Sequence, residues 1–230
     1  MRIFKKIIII LILFLFCSSI YLVRGGYEMY KNALKNESLD DVIYKIKSKD
    51  NYTKITDMPK MYLKAVISVE DHRFYKHKGI DLIAVSRALI SDIKEMKYVE
   101  GGSTITEQLA KNIYFSQDKN LKRKVAEAFM ARHIEKNCSK NEILELYLNS
   151  MYFGSGYYTV KEASNGYFNK KPSDMNDYES VMLAGIPNAP SIYNPNVSMS
   201  LTKKRQKQVL MKMIKYKTLD KKEAEVILNN

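Results

Sequence analysis

The segment GGSTITEQLAKN, residues 101–112, joins a glycine pair to the start of a helix and indicates a mainly helical fold. Gly101 and Gly102 allow the backbone to approach a ligand closely. Thr104 and Glu107 have the spacing of a capping box, which begins a helix. Free N–H groups and the helix dipole at such a start favour an anion. The segment therefore predicts a phosphate-binding turn that leads into a helix.

Side chains of the same segment add polar groups to this turn. Ser103 and Thr104 contribute hydroxyls, and Lys111 follows two helical turns later. The spacing of a P-loop is absent. An ordinary capped loop is the alternative, and it accounts for Glu107 but leaves Ser103, Gln108 and Lys111 without a role.

Carboxylates stand on both sides of the segment. Glu70 and Asp71 close an apolar helical stretch, where the helix dipole and burial beside Phe74 disfavour the ionised form; this suits a general base. Arg123 and Glu127 are four residues apart and share a helix face. The alternatives are a solvated helix end and a surface salt bridge worth ~0.3–0.5 kcal/mol, and spacing alone leaves both open.

Apolar residues recur at helical spacing through most of the chain, so we predict a mainly α domain. The expected helices lie at about 58–70, 80–96, 103–113, 121–136, 139–149, 177–185, 201–216 and 220–228. A short strand is weakly indicated at 42–46 by alternating apolar residues. The three histidines, His72, His77 and His133, do not have the spacing of a metal site.

The amino-terminal region contains an uncharged apolar run at residues 7–23, which spans ~26 Å as a helix. The cationic residues that precede it predict a cytoplasmic N-terminus and an exported remainder. A cleaved signal peptide is the alternative, but the length of the run and the lack of an A-x-A pattern favour an uncleaved anchor. Gly25 and Gly26 are expected to end this helix. We therefore expect an anchor at 1–24, a polar stalk at 25–56 and a domain at 57–230.

Composition limits the partners of this 230-residue chain. A hydrophobic fraction of 46% excludes a disordered protein, and two cysteines exclude a disulfide scaffold. The formal net charge of +13 favours an anionic partner. The basic stretch at 203–217 is expected to be a solvated face near anionic lipid, because an exported domain rarely meets nucleic acid.

In their order, these motifs resemble the peptidoglycan glycosyltransferase domain, glycosyltransferase family 51, of class A penicillin-binding proteins and monofunctional transglycosylases. The matching stretches are EDHRFYKHKG at 70–79, GGSTITEQLAKN at 101–112, RKVAE at 123–127, KNEILELYLN at 140–149 and LAGIPNAP at 183–190. The resemblance implies a lysozyme-like, mainly α fold at the outer leaflet of the plasma membrane. It also implies that lipid II is polymerised into glycan strands, with inversion and release of undecaprenyl diphosphate. Transpeptidases and other cell-wall proteins are the partners that the family suggests.

The resemblance also implies roles for individual residues. Glu70 would be the general base, Asp71 would support it, and Glu127 would assist the leaving group or hold a divalent cation. The residues expected to bind substrate and pyrophosphate are Ser103, Thr104, Gln108, Lys111, Asn112, Arg123 and Lys124. Those expected to shape the site are Phe74, His77, Gly101, Gly102, Tyr147 and Asn149. No organic cofactor is implied, and Mg²⁺ or Mn²⁺ near Glu70 or Glu127 is left open.

The sequence leaves two alternative functions open and departs from the family pattern at two positions. A lysozyme-like glycan-cleaving enzyme and a catalytically silent cell-wall partner are the alternative functions. Glu107 replaces a commoner Gln, and Ser155 stands where Arg is usual, so one phosphate or loop contact is expected to be lost. Transpeptidase motifs are absent, which predicts a monofunctional protein.

Overall fold

The computed structural model describes residues 2–95, 101–116 and 120–229, and these residues form helices and connecting loops without a β-strand. The mainly α prediction is confirmed. Met96, the last residue of the second expected helix, lies outside the described residues. The helices are α1 (Arg2–Asn36), α2 (Leu39–Lys47), α3 (Lys60–Glu70), α4 (Leu82–Glu95), α5 (Ile105–Tyr114), α6 (Leu121–Asn137), α7 (Lys140–Leu148), α8 (Val160–Phe168), α9 (Asp177–Gly185), α10 (Pro195–Lys215) and α11 (Lys221–Asn229).

One hydrophobic core connects these helices and sets where the functional side chains lie. Helix α3 packs against α9 and α10, and α5 packs against α6 and α7. Tyr62 of α3, Leu109 of α5 and Leu146 of α7 are fully buried in this core. The C-terminal end of α3 and the N-terminal end of α5 are thereby held next to each other.

Helix α1 passes through the glycine pair without a break, so the predicted end at Gly25 and Gly26 is wrong. The reason is packing against α6, because a Cβ atom on Gly26 would lie 2.6 Å from Cβ of Val125. The close contact between the two helices offsets the poor helix propensity of glycine. Tyr30 extends the same contact by stacking on Phe129.

The apolar half of α1 projects from the rest of the protein. Among the described residues, one helix is long and apolar enough to cross a membrane, and it covers Phe4–Asn36. Its large side chains between residues 7 and 16 are exposed. This agrees with the expected N-terminal anchor helix.

Residues 42–46 belong to helix α2, so the predicted strand is wrong. Ser38 caps the helix by accepting a hydrogen bond from the N–H of Asp41. Leu39, Val42 and Ile46 lie on one helical face and are buried in the core. This part of the expected stalk therefore contributes to the core, while the exact division of the chain into 1–24, 25–56 and 57–230 stays a prediction.

Helix α8 was not expected from the sequence. Thr159 caps it by accepting a hydrogen bond from the N–H of Glu162. Gly166 allows the ring of Tyr157 to pack against the helix, since a Cβ atom there would lie 2.1 Å from Cζ of Tyr157. A glycine in the middle of a short segment hid this helix, because glycine is a poor helix former on its own.

Candidate active site

A cavity of about 470 Å³ lies where the end of α3, the loop before α5, α5 itself and α10 meet. Among the described residues that line it, one is a carboxylate, Glu70, and four are cationic. The cationic residues are Arg87, Lys111, Arg205 and Lys212. We call this space the cationic cavity, and its excess positive charge suits an anionic ligand.

Glu70 is half-buried at the last position of α3 and faces the cationic cavity. The side-chain amide of Gln108 donates a hydrogen bond to Oε2 of Glu70, with Nε2 and Oε2 3.0 Å apart. The hydroxyl of Tyr147 in turn donates to Oε1 of Gln108 over 2.9 Å. The structure thus brings together the expected base, Gln108 and Tyr147.

Asp71 lies behind the cavity and joins two helices. Its Oδ2 accepts a hydrogen bond from the backbone N–H of Ile105 at 3.1 Å and lies 2.8 Å from Nε2 of His77. The first contact ties the end of α3 to the start of α5. Asp71 therefore supports Glu70 through the backbone, and His77 takes part in that support without lining the cavity.

The capping box at the start of α5 is present, as its spacing indicated. The hydroxyl of Thr104 accepts from the N–H of Glu107 and donates to the carbonyl oxygen of Gly79 at 2.6 Å. Gly79 has a φ of +94°, and a Cβ atom there would lie 3.0 Å from the backbone of Ala131. Thr104 is accordingly buried and serves the fold, although it was expected to bind pyrophosphate.

A cluster of charges lies next to the glycine loop. Nζ of Lys124 is 2.8 Å from Oγ of Ser103, 3.1 Å from Oε1 of Glu107 and 3.0 Å from Oε2 of Glu127. Arg123 forms an ion pair with Glu127 at 2.9 Å. Glu127 is buried between these two cations, and Ser103 connects the cluster to the cationic cavity. Glu107, which departs from the family pattern, therefore gains an ionic partner as well as a cap.

Lys111 projects from α5 into the cationic cavity. Its ammonium makes no hydrogen bond or ion pair with any residue that the structure describes. Burial lowers the pKa of Lys111 below its ordinary value; the charges of Arg123 and Lys124 also lower it, while Glu127 acts in the opposite direction. A partly desolvated ammonium of this kind gains from an anionic ligand.

The other predicted residues do not line the cationic cavity, apart from Gly101. Phe74 is fully buried, with the ammonium of Lys140 over its ring. Asn149 holds the backbone of Thr53 through two hydrogen bonds. Gly102 allows the loop before α5 to approach helix α4 closely. Arg123 lines a separate groove along α1, and Asn112 lies outside both spaces.

Sequence reasoning missed the contribution of α10. The prediction that 203–217 is a solvated face is wrong for Arg205 and Lys212. Arg205 is 8% exposed, and its Nε donates to the carbonyl oxygen of Gly185 at 3.3 Å. Burial lowers the pKa of its guanidinium. Lys212 lies seven residues further on, and its Nζ donates to the carbonyl oxygen of Val69 at 3.1 Å. Two cations seven residues apart share a helix face with apolar residues, and this pattern was the available signal.

The far edge of the cationic cavity is formed by a ring pair that was also not expected. His72 and Tyr216 stack with their centroids 3.8 Å apart and their planes 6° apart. Burial and the nearby Arg87 lower the pKa of His72. The stack therefore joins the loop after α3 to the end of α10 with a neutral imidazole at neutral pH.

Ser155 occupies a tight turn away from the cationic cavity. Its φ of +52° is left-handed, and the flanking Gly154 and Gly156 also have positive φ values. The hydroxyl accepts a hydrogen bond from the side-chain amide of Asn196 at 3.3 Å. The contact that is expected to be lost with the usual arginine therefore concerns this turn and leaves the four cavity cations in place.

The described residues contain no group of three or more His, Cys, Asp or Glu side chains placed to hold a metal ion. Both oxygens of Glu127 face Arg123 and Lys124, so its charge is already balanced. These side chains do not fit a divalent cation held by the protein alone. The expectation of Mg²⁺ or Mn²⁺ near Glu70 or Glu127 stays a prediction.

The described residues of this helical domain thus place one carboxylate among four cations, an arrangement that suits an enzyme or a binding protein for an anionic ligand. The family model described as Transglycosylase matches residues 37–214. The chain belongs to this transglycosylase family, and the resemblance found in its motifs is confirmed.

Two curated relatives, both penicillin-binding proteins, agree with this assignment. The chain is 44% identical to penicillin-binding protein 1A of Neisseria lactamica over 178 residues, which are 77% of this chain and 22% of that protein. It is 45% identical to penicillin-binding protein 1F of Bacillus subtilis (strain 168) over 170 residues, or 74% of this chain and 24% of that protein. The crystal structure of penicillin-binding protein 1A from Haemophilus influenzae aligns with a TM-score of 0.45 and 23% identity, over 76% of this chain and 17% of that one. The chain thus spans about a quarter of the length of the curated relatives that it matches.

Proposed function

We propose that this chain polymerises lipid II into the glycan strands of peptidoglycan, by inverting glycosyl transfer that releases undecaprenyl diphosphate. Membership of the transglycosylase family supports the reaction class. The observation that carries the proposal is the cationic cavity, whose lining in the described part of the chain combines one carboxylate, Glu70, with four cations. A reaction that needs a base beside a departing diphosphate requires this combination of charges.

In the proposed reaction, Glu70 takes the proton from the 4-hydroxyl of the acceptor sugar. The acceptor oxygen forms a bond to the anomeric carbon of the donor on the face opposite the leaving group. The bond between that carbon and the diphosphate oxygen breaks, and its electron pair leaves with the lipid diphosphate. Lys111, Arg205 and Lys212 stabilise the negative charge of the diphosphate as it departs.

Glu127 is better suited to organise cations than to take up a proton. Two cations already hold its carboxylate, and one of them, Lys124, also contacts Ser103 at the cavity wall. We therefore assign Glu127 the task of fixing Lys124, which reaches the cavity wall through Ser103, while Arg123 is its second cationic partner. This choice favours assistance to the leaving group over the alternative in which Glu127 holds a divalent cation.

We propose that α1 anchors the protein in the plasma membrane by a single pass. The basic residues Arg2, Lys5 and Lys6 would lie on the cytoplasmic side, and the domain would lie outside, where lipid II is presented. The growing glycan strand and the membrane are then its immediate partners. Transpeptidases and other cell-wall proteins would act on its product, and nucleic acid is not expected to bind.

The test compares two substrates with the full chain in detergent or vesicles. Labelled lipid II should be converted into a ladder of long glycan strands, and Glu70→Gln should abolish the ladder while lipid II binding persists. Shortening of preformed glycan, with no growth from lipid II, would instead assign a glycan-cleaving enzyme. A chain inactive on both substrates, whose Glu70→Gln variant behaves like the wild type in cells, would be a silent cell-wall partner. The four cavity cations argue against cleavage, because hydrolysis has no diphosphate to hold.

A further inference from the structure

Two buried tyrosines close to Glu70 differ in how their hydroxyls are used. Tyr62 of α3 and Tyr147 of α7 are both fully buried. The hydroxyl of Tyr147 donates to Oε1 of Gln108 at 2.9 Å. The hydroxyl of Tyr62 is buried and makes no hydrogen bond to any residue in the described part of the chain. Only Tyr147 is therefore connected to the cationic cavity.

Gln108 stands between Tyr147 and Glu70, and its amide has two chemically different ends. With Oε1 taken by the phenol, Nε2 is directed to Oε2 of Glu70 at 3.0 Å. The reversed amide would place its oxygen against the carboxylate, which repels it. The phenol that donates to Oε1 and the carboxylate that accepts from Nε2 therefore favour the same orientation, in which Gln108 is itself a donor to Glu70.

This arrangement leaves the two oxygens of Glu70 in different states. Oε2 accepts the hydrogen bond from Gln108, whereas Oε1 accepts none from the described residues. A general base needs one oxygen held in place and the other free for the incoming proton. The chain of contacts from Tyr147 through Gln108 provides this difference.

We propose that Tyr147 is a positioning residue: it fixes the amide of Gln108, which holds Glu70 by Oε2 and leaves Oε1 to take the proton of the acceptor hydroxyl. Tyr147 is buried and does not contact substrate. The inference rests on the proposed function, because it assigns a role in the same proton transfer.

The surroundings of Tyr147 keep its hydroxyl protonated, so that it can always donate its hydrogen bond to Gln108. Burial raises the pKa of its phenol well above the ordinary value, and the charge of Glu70 acts in the same direction. The hydroxyl therefore keeps its proton throughout the pH range in which a carboxylate base works. The orientation of Gln108 is then independent of pH in that range.

Tyr147→Phe removes the hydroxyl and leaves the ring that packs in the core. We expect kcat for lipid II polymerisation to fall about 10-fold, as for one lost hydrogen bond at ~1–1.5 kcal/mol, with KM unchanged. The acidic limb of the pH–rate profile should move to higher pH, because the carboxylate loses a fixed donor to its charged form. An unchanged kcat and an unchanged limb would overturn the proposal.

Tyr62→Phe is the matched control, since it makes the same change at an equally buried tyrosine of the same core. Its kcat, KM and pH–rate profile should equal those of the wild type, because its hydroxyl has no partner to lose. Thermal unfolding of both variants separates loss of fold from loss of positioning. An equal fall in kcat for both variants would show a general effect of core polarity and would contradict the proposal.

A double-mutant cycle tests the chain of contacts directly. Gln108→Leu interrupts it beyond Tyr147, so Tyr147→Phe should cause no further loss of kcat in that background. Independent losses that multiply would contradict a single chain. Failure of the wild type to extend lipid II would refute the proposed function itself, whereas an active wild type with an unaffected Tyr147→Phe variant would refute this inference alone.

Discussion

Glu70 and Glu127 are two of the acidic groups at the site, and their surroundings are opposite. Glu70 ends α3, faces the cationic cavity and accepts one hydrogen bond, from a neutral amide. Glu127 lies in α6, is 2% exposed and is held by Arg123 and Lys124. A carboxylate that has to take up a proton cannot already be balanced by two cations. The environment, more than the residue type, therefore divides the work between two similar acids.

Lys111 lies between these two regions, and the charges of both regions affect its pKa. The charges of Glu70 and Glu127 each raise its pKa, and those of Arg123 and Lys124 lower it, although burial has the largest effect. A diphosphate next to Lys111 would interact with the base on one side and with the Glu127 cluster on the other. The two regions are thus electrostatically coupled although they contain different helices.

The largest expected effect is on the Glu70 side of the comparison. Glu70→Gln should lower kcat by about 10²–10⁴, the usual contribution of a general base. The free energy of unfolding should change by less than about 0.5 kcal/mol, because the glutamine can still accept the hydrogen bond of Gln108. Strand synthesis from lipid II and chemical denaturation measure the two quantities. A Glu70→Gln variant that keeps its kcat, or that unfolds, would contradict the proposed difference in role between Glu70 and Glu127.

Glu127→Gln should show the reverse balance, with a large loss of stability. It leaves Arg123 without its buried counter-charge, while Lys124 keeps Glu107, and breaking such a pair costs about 2–3 kcal/mol when one cation is partly exposed. Denaturant unfolding measures this loss. Activity should also fall, through weaker binding of the diphosphate. Glu179→Gln, which breaks an ion pair with Lys170 away from the site, is the control and should leave activity intact.

A substitution in the anchor helix α1 can shift α6, and we expect it to have a smaller effect on stability and activity. Gly26→Ala brings a methyl group to 2.6 Å from the Val125 side chain and 2.9 Å from a backbone oxygen, so α6 must shift. We expect a loss of about 1–2 kcal/mol of stability and lower activity. Gly25→Ala is the matched control, because its methyl group meets only the flexible end of the Lys122 side chain. Equal stability of the two variants, measured by thermal unfolding in detergent, would argue against this contact.

The smallest expected effect is a dependence of substrate binding on alkaline pH. Lys111 binds an anion only while charged, and its lowered pKa means that this charge is lost below the ordinary value of 10.5. KM for lipid II should therefore rise as pH increases through that region, by up to about 10-fold. In steady-state kinetics, the Lys111→Met variant should not show this rise of KM with pH, whereas Lys161→Met, a substitution on the surface, should still show it. If the rise of KM at alkaline pH persists in Lys111→Met, another group is responsible for it.

Local signals predicted much of this molecule. The Thr104 and Glu107 capping box began α5 as expected, because a cap depends on residues three positions apart. The helical periodicity of α3 was also visible. By contrast, Val42 and Ile46 suggested a strand, and only their burial against the core shows that α2 is a helix.

The candidate site shows the same division. The motifs identified Glu70, Ser103, Gln108 and Lys111, which do meet at one cavity. They also suggested Thr104 and Asn149 for the site, whose polar groups the fold itself uses. The face that a polar side chain presents depends on neighbours far away in the sequence, and spacing along the chain carries no such information.

The sequence by itself determined most of the helices, the family and the identity of the acidic and basic residues, because caps, periodicity and motifs are properties of neighbouring residues. Only the tertiary structure decided that α1 continues through its glycines and that Arg205 and Lys212 face inwards. It also decided that one acid is open and the other is paired. These outcomes depend on contacts between distant helices, whose packing fixes which side chains lose water and which charges come together.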